Sequence, residues 1–197
     1  ITAAGGQVTL IPGDSGTDPN VASVTTDQLL ADDVDVIIGA AGSTVSLSII
    51  DKITGSNVAQ CSGSNTDGAF TTYDDGGFYF RTAPSDVIQA PTLADVITDG
   101  GSATVGIIYR NDDYGAGFND LLAEGLIANG VAIATQVGYD PTATSFDAEA
   151  AEVAAAGVDA VAIITFGEGS ALMQSMIEAG IGPTDIPIYV ADGFKDT

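Results

Sequence analysis

Histidine is absent from the 197-residue chain, cysteine occurs once, and lysine and arginine together number only 4. Each scarcity removes a class of chemistry. Without histidine there is no Ser-His-Asp triad, no Cys-His dyad and no histidine-ligated metal. With Cys61 alone there is no internal disulfide. Its setting, Ala59-Gln60-Cys61-Ser62, reads as a strand end carrying a packed thiol rather than a nucleophile. Lys52, Arg81, Arg110 and Lys195 are scattered, so a basic nucleic-acid footprint is missing. No apolar run approaches the roughly 20 residues that span a bilayer. The opening Ile1-Thr2-Ala3-Ala4-Gly5-Gly6 lacks Met and a basic stretch, so a mature or trimmed chain is expected rather than a signal peptide.

What is abundant is acid. Asp and Glu total 27 and the formal net charge is −23, although only 16% of residues are charged. Two readings are open: a solvated surface suited to salt, and a surface that binds cations. Charge repulsion disfavours nucleic acid and anionic membranes in both. Asp32-Asp33-Val34-Asp35, Asp74-Asp75 and Asp112-Asp113 lack the Gly and terminal Glu of a calcium loop. The solvated surface is therefore the expectation, with no metal site and no cofactor. Hydrophobic residues make up 45% of the chain, enough for a sizeable core in one or two domains.

Strand and helix signals alternate. Apolar runs of strand length occur at Val8 to Ile11, Val34 to Ile38, Val58 to Cys61, Phe78 to Phe80, Val105 to Tyr109, Val131 to Val137, Ala160 to Thr165 and Ile186 to Val190. They are β-branched and nearly continuous, as in strands buried on both faces of a parallel sheet. Helical faces are expected at Val21, Val24, Gln28 and Leu29, and at Val45, Ile49, Ile50 and Ile53. Two more fall at Phe118, Leu121, Leu122 and Leu126, and at Leu172, Met173, Met176 and Ile177. Asn129-Gly130, Ala156-Gly157 and Ala179-Gly180 read as helix ends. Residues 66–77 read as an irregular polar loop, and Ala83-Pro84-Ser85 breaks the pattern between two halves. The expected class is α/β with parallel sheets and right-handed crossovers.

Open parallel sheets bind ligands at the carboxyl ends of their strands. Five polar stretches follow strands: Gly39 to Thr44, Ser62 to Thr66, Asn111 to Gly115, Phe166 to Gly169 and Ala191 to Gly193.

These residues resemble a known family. Asp35-Val36-Ile37-Ile38-Gly39 with Ser43-Thr44 opening a helix looks like the first lobe of type I periplasmic binding proteins, in the leucine/isoleucine/valine-binding branch. Phe80-Arg81-Thr82-Ala83-Pro84-Ser85-Asp86 is similar to the segment where that family's chain leaves lobe one. Val105-Gly106-Ile107-Ile108-Tyr109, then Asp113-Tyr114-Gly115-Ala116-Gly117, resembles the opening of lobe two. Pro141 to Phe146, Gly157-Val158-Asp159-Ala160-Val161 and Ala191-Asp192-Gly193 continue in family order. Ile1 to Gly6 resembles the end of the family's first helix, so the resemblance implies a first lobe lacking its first strand, with a gap in the sheet. It implies two Rossmann-like lobes: residues 1–83 as a partial N-terminal lobe and residues 84–197 as most of the C-terminal lobe.

The resemblance also implies a ligand, an amino acid or related small polar solute, held between lobes. No Lys or Arg lies in the site segments, so neutral donors must hold a ligand carboxylate. Ser43, Thr44 and Thr66, with backbone groups of Gly42, Ser64 and Asn65, are the candidates. Asp192 is the natural partner of a ligand ammonium, helped by Tyr114, and Phe166 would wall the pocket where the family often has Tyr. Plainer roles stay open: Ser43 as a helix cap, Thr66 and Asp192-Gly193 as turn residues, Tyr114 and Phe166 as packing. Arg81 is expected to hold the crossover, and Glu168 to sit in a first helical turn.

The function implied is extracytoplasmic solute capture, periplasmic or as a cell-surface lipoprotein, for an ABC transporter permease. A sensory ligand-binding domain and an acidic surface or filament component are the alternatives. An α/β enzyme using Asp192 or Asp112 is disfavoured, since no Gly-x-Ser-x-Gly elbow and no phosphate loop with Lys occurs.

Overall fold

The computed structural model of the chain describes residues 5–194. Residues 1–4 of the string expected to close a helix, and Lys195, lie outside the described residues. Two compact units form: one runs through Asn65 and adds Thr72–Ala83, the other joins Thr66–Thr71 to the chain from Pro84 onward.

The first unit contains helix α1 (Pro19–Ala31), strand β1 (Val36–Ile38), helix α2 (Ser43–Thr54), and strands β2 (Ala59–Ser62) and β3 (Tyr79–Arg81). The strands are parallel, in the order β1-β2-β3. Asp18 caps α1, accepting from the N–H groups of Asn20 at 2.7 Å and Val21 at 3.1 Å, with Pro19 pre-set for the first turn. One sheet face is covered: Ala22, Ile37, Val45, Ile49 and Ile53 form its core. The opposite face is not, and Val36, Ile38 and Phe80 are 47%, 75% and 55% exposed.

Two expectations are corrected here. Val8 to Ile11 forms no strand. A strand needs a ladder partner for its N–H and C=O groups, and among the described residues no strand pairs with this segment. Residues 7–15 instead line one side of a cleft of about 770 Å³ whose other side is β1 and Ile49. The buried face of α1 is also displaced: Val21 and Val24 are exposed, whereas Ala22 and Thr26 are buried. Ala22 belongs to the core formed with Ile37, Val45, Ile49 and Ile53.

The second unit contains α3 (Asp86–Asp99), β4 (Thr104–Arg110), α4 (Asp113–Ala128), β5 (Ala132–Tyr139), α5 (Asp147–Ala155), β6 (Ala160–Ile164), α6 (Gly169–Glu178) and β7 (Ile188–Val190). Its sheet is all parallel in the order β5-β4-β6-β7. Every residue of β6 is buried. Alternation divides them: Ala160, Ala162 and Ile164 pack with α3 and α4, while Val161 and Ile163 pack with α5 and α6. Gly130, Gly157 and Gly180 have φ of 79°, 68° and 75° and stop α4, α5 and α6 where expected. Residues 66–77 are less irregular than expected, because Gly68–Thr71 forms a 3₁₀ turn with Phe70 buried. Cys61 is half-buried rather than fully packed, in register with Ile38 and Phe80.

Candidate functional site

In the first unit the segment after β1 is held from below by the end of β2. The Ala40 carbonyl accepts from Ser46 Oγ at 3.1 Å, Ser62 Oγ at 3.0 Å and Asn65 Nδ2 at 3.2 Å. The Ala41 carbonyl accepts from Ser64 Oγ and Asn65 Nδ2, both at 2.8 Å. Gln60 Nε2 donates to the Gly39 carbonyl at 2.9 Å. Asn65 is fully buried and its Oδ1 accepts from the Tyr79 hydroxyl at 2.9 Å. Loop 39–42 is thus fixed by four side chains from β2 and its turn, Gln60, Ser62, Ser64 and Asn65.

That loop delivers the N-terminus of α2. Gly42 is the N-cap and makes no side-chain cap bond, so Ser43 is the first helical residue and not the cap. The first N–H groups of a helix have no intrahelical acceptor, and the helix dipole is positive there. The structure brings Gly42, Ser43, Thr44, Ser64 and Asn65 together around this point. The side chains of Ser64 and Asn65 hold the loop. Thr66 belongs to the second unit, where it is buried and its carbonyl accepts from Asp86 N–H at 2.7 Å.

In the second unit the ends of β4, β6 and β7 carry a connected cluster. Tyr114, in the first turn of α4, is only 2% exposed. Its ring stacks on Phe166, centroids 4.9 Å apart and planes 10° apart, and meets the edge of Phe118 at 6.2 Å. Its hydroxyl donates to Asp192 Oδ1 at 3.2 Å. Burial, reinforced by the charge of Asp192, pushes this hydroxyl's pKa far up, so it stays a donor. Asp192 is exposed and opens a 3₁₀ turn after β7. Tyr114, Phe166 and Asp192 are therefore one constellation.

Sequence reasoning missed its other half. Arg110, at the end of β4, is 9% exposed. Its Nε pairs with Asp112 and its Nη1 with Glu168 Oε1 at 2.5 Å. Burial opposes the guanidinium charge, but Asp112 and Glu168 outweigh it and hold its pKa above the ordinary value. The guanidinium lies 4.6 Å from the Phe166 ring centroid. The Tyr139 hydroxyl donates to Glu168 Oε1 at 2.8 Å and lies 2.6 Å from Thr165 Oγ1. Glu168 is not the first-turn acid expected: it stands at the N-cap position before α6, and its side chain is committed to Arg110 and Tyr139. A signal existed: a cation closing a buried strand must find carboxylates, and Asp112 and Glu168 both follow strand ends.

One guanidinium faces two carboxylates, so this cluster keeps negative charge, and Asp192 adds to it. It suits a cation or a hydrogen-bond donor. Among the described residues no group of three or more His, Cys, Asp or Glu could hold a metal ion, and no helix is long and apolar enough to cross a membrane.

A family model described as periplasmic binding protein matches residues 1–197. Solved structures are similar throughout. An extracellular ligand-binding receptor from Rhodopseudomonas palustris HaA2 is 25% identical, with a TM-score of 0.88 over 95% of this chain and 52% of that one. A leucine binding protein from Thermotoga maritima MSB8 is 20% identical, with a TM-score of 0.86 over 96% of this chain and 53% of that one. A solute binding protein of an ABC transporter from Rhodopseudomonas palustris BisB5, in complex with 3,4-dihydroxybenzoic acid, is 18% identical. Its TM-score is 0.86 over 96% of this chain and 52% of that one. The chain spans about half the length of these structures.

Proposed function

The chain belongs to the periplasmic binding protein family, and on that premise we propose that it is part of a protein that captures a small polar solute outside the cytoplasm and hands it to an ABC transporter permease. Membership places it among binding proteins rather than enzymes. The observation that carries the reading is the exposed carboxylate of Asp192, tethered by the buried Tyr114 hydroxyl beside the half-buried ring of Phe166. A carboxylate so placed is a partner for a ligand ammonium, and the ring offers an apolar wall.

The solute class that fits is an amino acid or a related aminated compound. In the first unit, the N-terminus of α2 at Gly42, Ser43 and Thr44 suits a carboxylate through its first N–H groups. Arg110 is engaged by Asp112 and Glu168, so it does not offer a free charge to a ligand carboxylate. Binding of leucine by one similar protein supports this class. The dihydroxybenzoate bound by another supports a competing one, an aromatic acid against Phe166 and Tyr114.

Titration calorimetry of the full-length protein separates them. Amino acids, their amides and hydroxybenzoates form the panel. Binding of an amino acid, lost when its amine is acetylated, is expected. Binding of hydroxybenzoates alone would replace the amino-acid reading with the aromatic one.

A further inference from the structure

We propose that Arg110 is a positioning residue that fixes the pose of the Phe166 ring and so sets which solutes the second unit prefers; this rests on the solute-binding reading above. The guanidinium cannot serve the ligand as a charge, because two carboxylates already face it. What it retains is a plane, and that plane is pinned at two points.

The first pin is Asp112. Besides pairing with Arg110 Nε, it caps α4 by accepting from Gly115 N–H at 3.0 Å. The second is Glu168, whose Oε1 accepts from both Arg110 Nη1 and the Tyr139 hydroxyl. Tyr139 is fully buried, with its ring edge-on to Phe146 at 5.1 Å. The guanidinium is therefore tied to the start of α4 through one carboxylate and to β5 through the other. Bidentate or forked pairing of this kind orients a planar cation.

Phe166 rests against that plane at 4.6 Å and against Tyr114 at 4.9 Å. Tyr114 in turn holds Asp192. A line of contacts thus runs from a buried ion cluster to the exposed carboxylate. Phe166 is its half-buried member, the apolar surface a solute can touch, and it has no polar group to orient itself. Its pose comes from its neighbours. A lysine at 110 would keep a positive charge but lose the plane and the fork. The ring would then relax, and the wall would cease to discriminate by shape.

The test uses the full-length protein with Arg110→Lys, Phe166→Leu and the double variant, and Ile53→Val as a control that weakens the separate core of the first unit. The probes are L-leucine and 3,4-dihydroxybenzoate, measured by calorimetry. Ring-proton shifts of Phe166 and Tyr114 are followed by NMR without ligand. Arg110→Lys is expected to move those shifts, to weaken the preferred probe about tenfold, and to narrow its preference over the other probe. In the Phe166→Leu background the same change is expected to alter affinity less than twofold, since no ring remains to position. Ile53→Val is expected to lower the Tm with shifts and preference unchanged.

Unmoved ring shifts in Arg110→Lys, or a tenfold loss in both backgrounds, would overturn the positioning role. Should Arg110→Lys not fold, Asp112→Asn and Tyr139→Phe loosen one pin each, and unmoved ring shifts in both would equally overturn it. A wild-type protein that binds neither probe would overturn the ligand preference while the ring shifts still decide the pose.

Discussion

The Tyr79 hydroxyl donates to Asn65 Oδ1 at 2.9 Å, and Asn65 Nδ2 holds the carbonyls of Ala40 and Ala41. One tyrosine on β3 thereby steadies the loop that presents α2. Tyr79→Phe leaves a buried amide oxygen without that donor. The expected loss is about 1–3 kcal/mol, read as a lower urea midpoint. An unchanged midpoint would mean that solvent replaces the hydroxyl.

Alkaline pH should weaken the second unit. Burial, first among the causes, raises the hydroxyl pKa of both Tyr114 and Tyr139 in the folded chain. An unfolded tyrosine titrates near about 10. The fold therefore keeps this contribution below about pH 10 and loses it as pH rises towards the higher folded values. Thermal unfolding from pH 8 to pH 12 checks the slope. Tyr139→Phe should flatten it, at the cost of the bond to Glu168.

Gly115 and Gly117 lie two residues apart in α4 yet should respond oppositely to alanine. A Cβ at Gly115 would lie 1.9 Å from the Arg110 carbonyl oxygen, where backbone must move. Gly115→Ala should cost at least about 1–3 kcal/mol and disturb the Arg110 cluster. At Gly117 the nearest atom, Asp67 Oδ2, is 3.5 Å away, an ordinary contact. Gly117→Ala should be neutral or stabilise by up to about 1 kcal/mol through helix propensity. Melting temperatures of the two variants decide it.

Asp192→Asn keeps the acceptor for Tyr114 and removes the charge. For an aminated solute the affinity should fall about tenfold or more, at least about 1.4 kcal/mol. Calorimetry of wild type and variant with the same solute measures it. Equal affinities would move the ammonium partner away from Asp192.

Much of this architecture was legible in the sequence because it follows from local pattern. The unbroken apolar runs around Ile107 and Ile163 specify strands buried on both faces, and the glycines after Asn129 and Ala179 specify helix ends. Val8 to Ile11 misled for a physical reason: β-branched residues signal a preference, but a strand exists only with a partner. The α1 stripe failed because residue size does not fix which face of a helix meets the sheet: Ala22 and Thr26 are buried and the larger valines are not. At the site, Tyr114, Phe166 and Asp192 stood out as residues following strands. Arg110, Glu168 and Tyr139 did not, because their roles depend on contacts across 29 and 58 positions of chain that no local pattern encodes.

The Arg110 cluster and the acidic surface should answer to salt in opposite ways. Arg110 is 9% exposed, so its pairs with Asp112 and Glu168 are shielded from mobile ions. Salt that screens repulsion among the exposed acids therefore leaves these pairs standing.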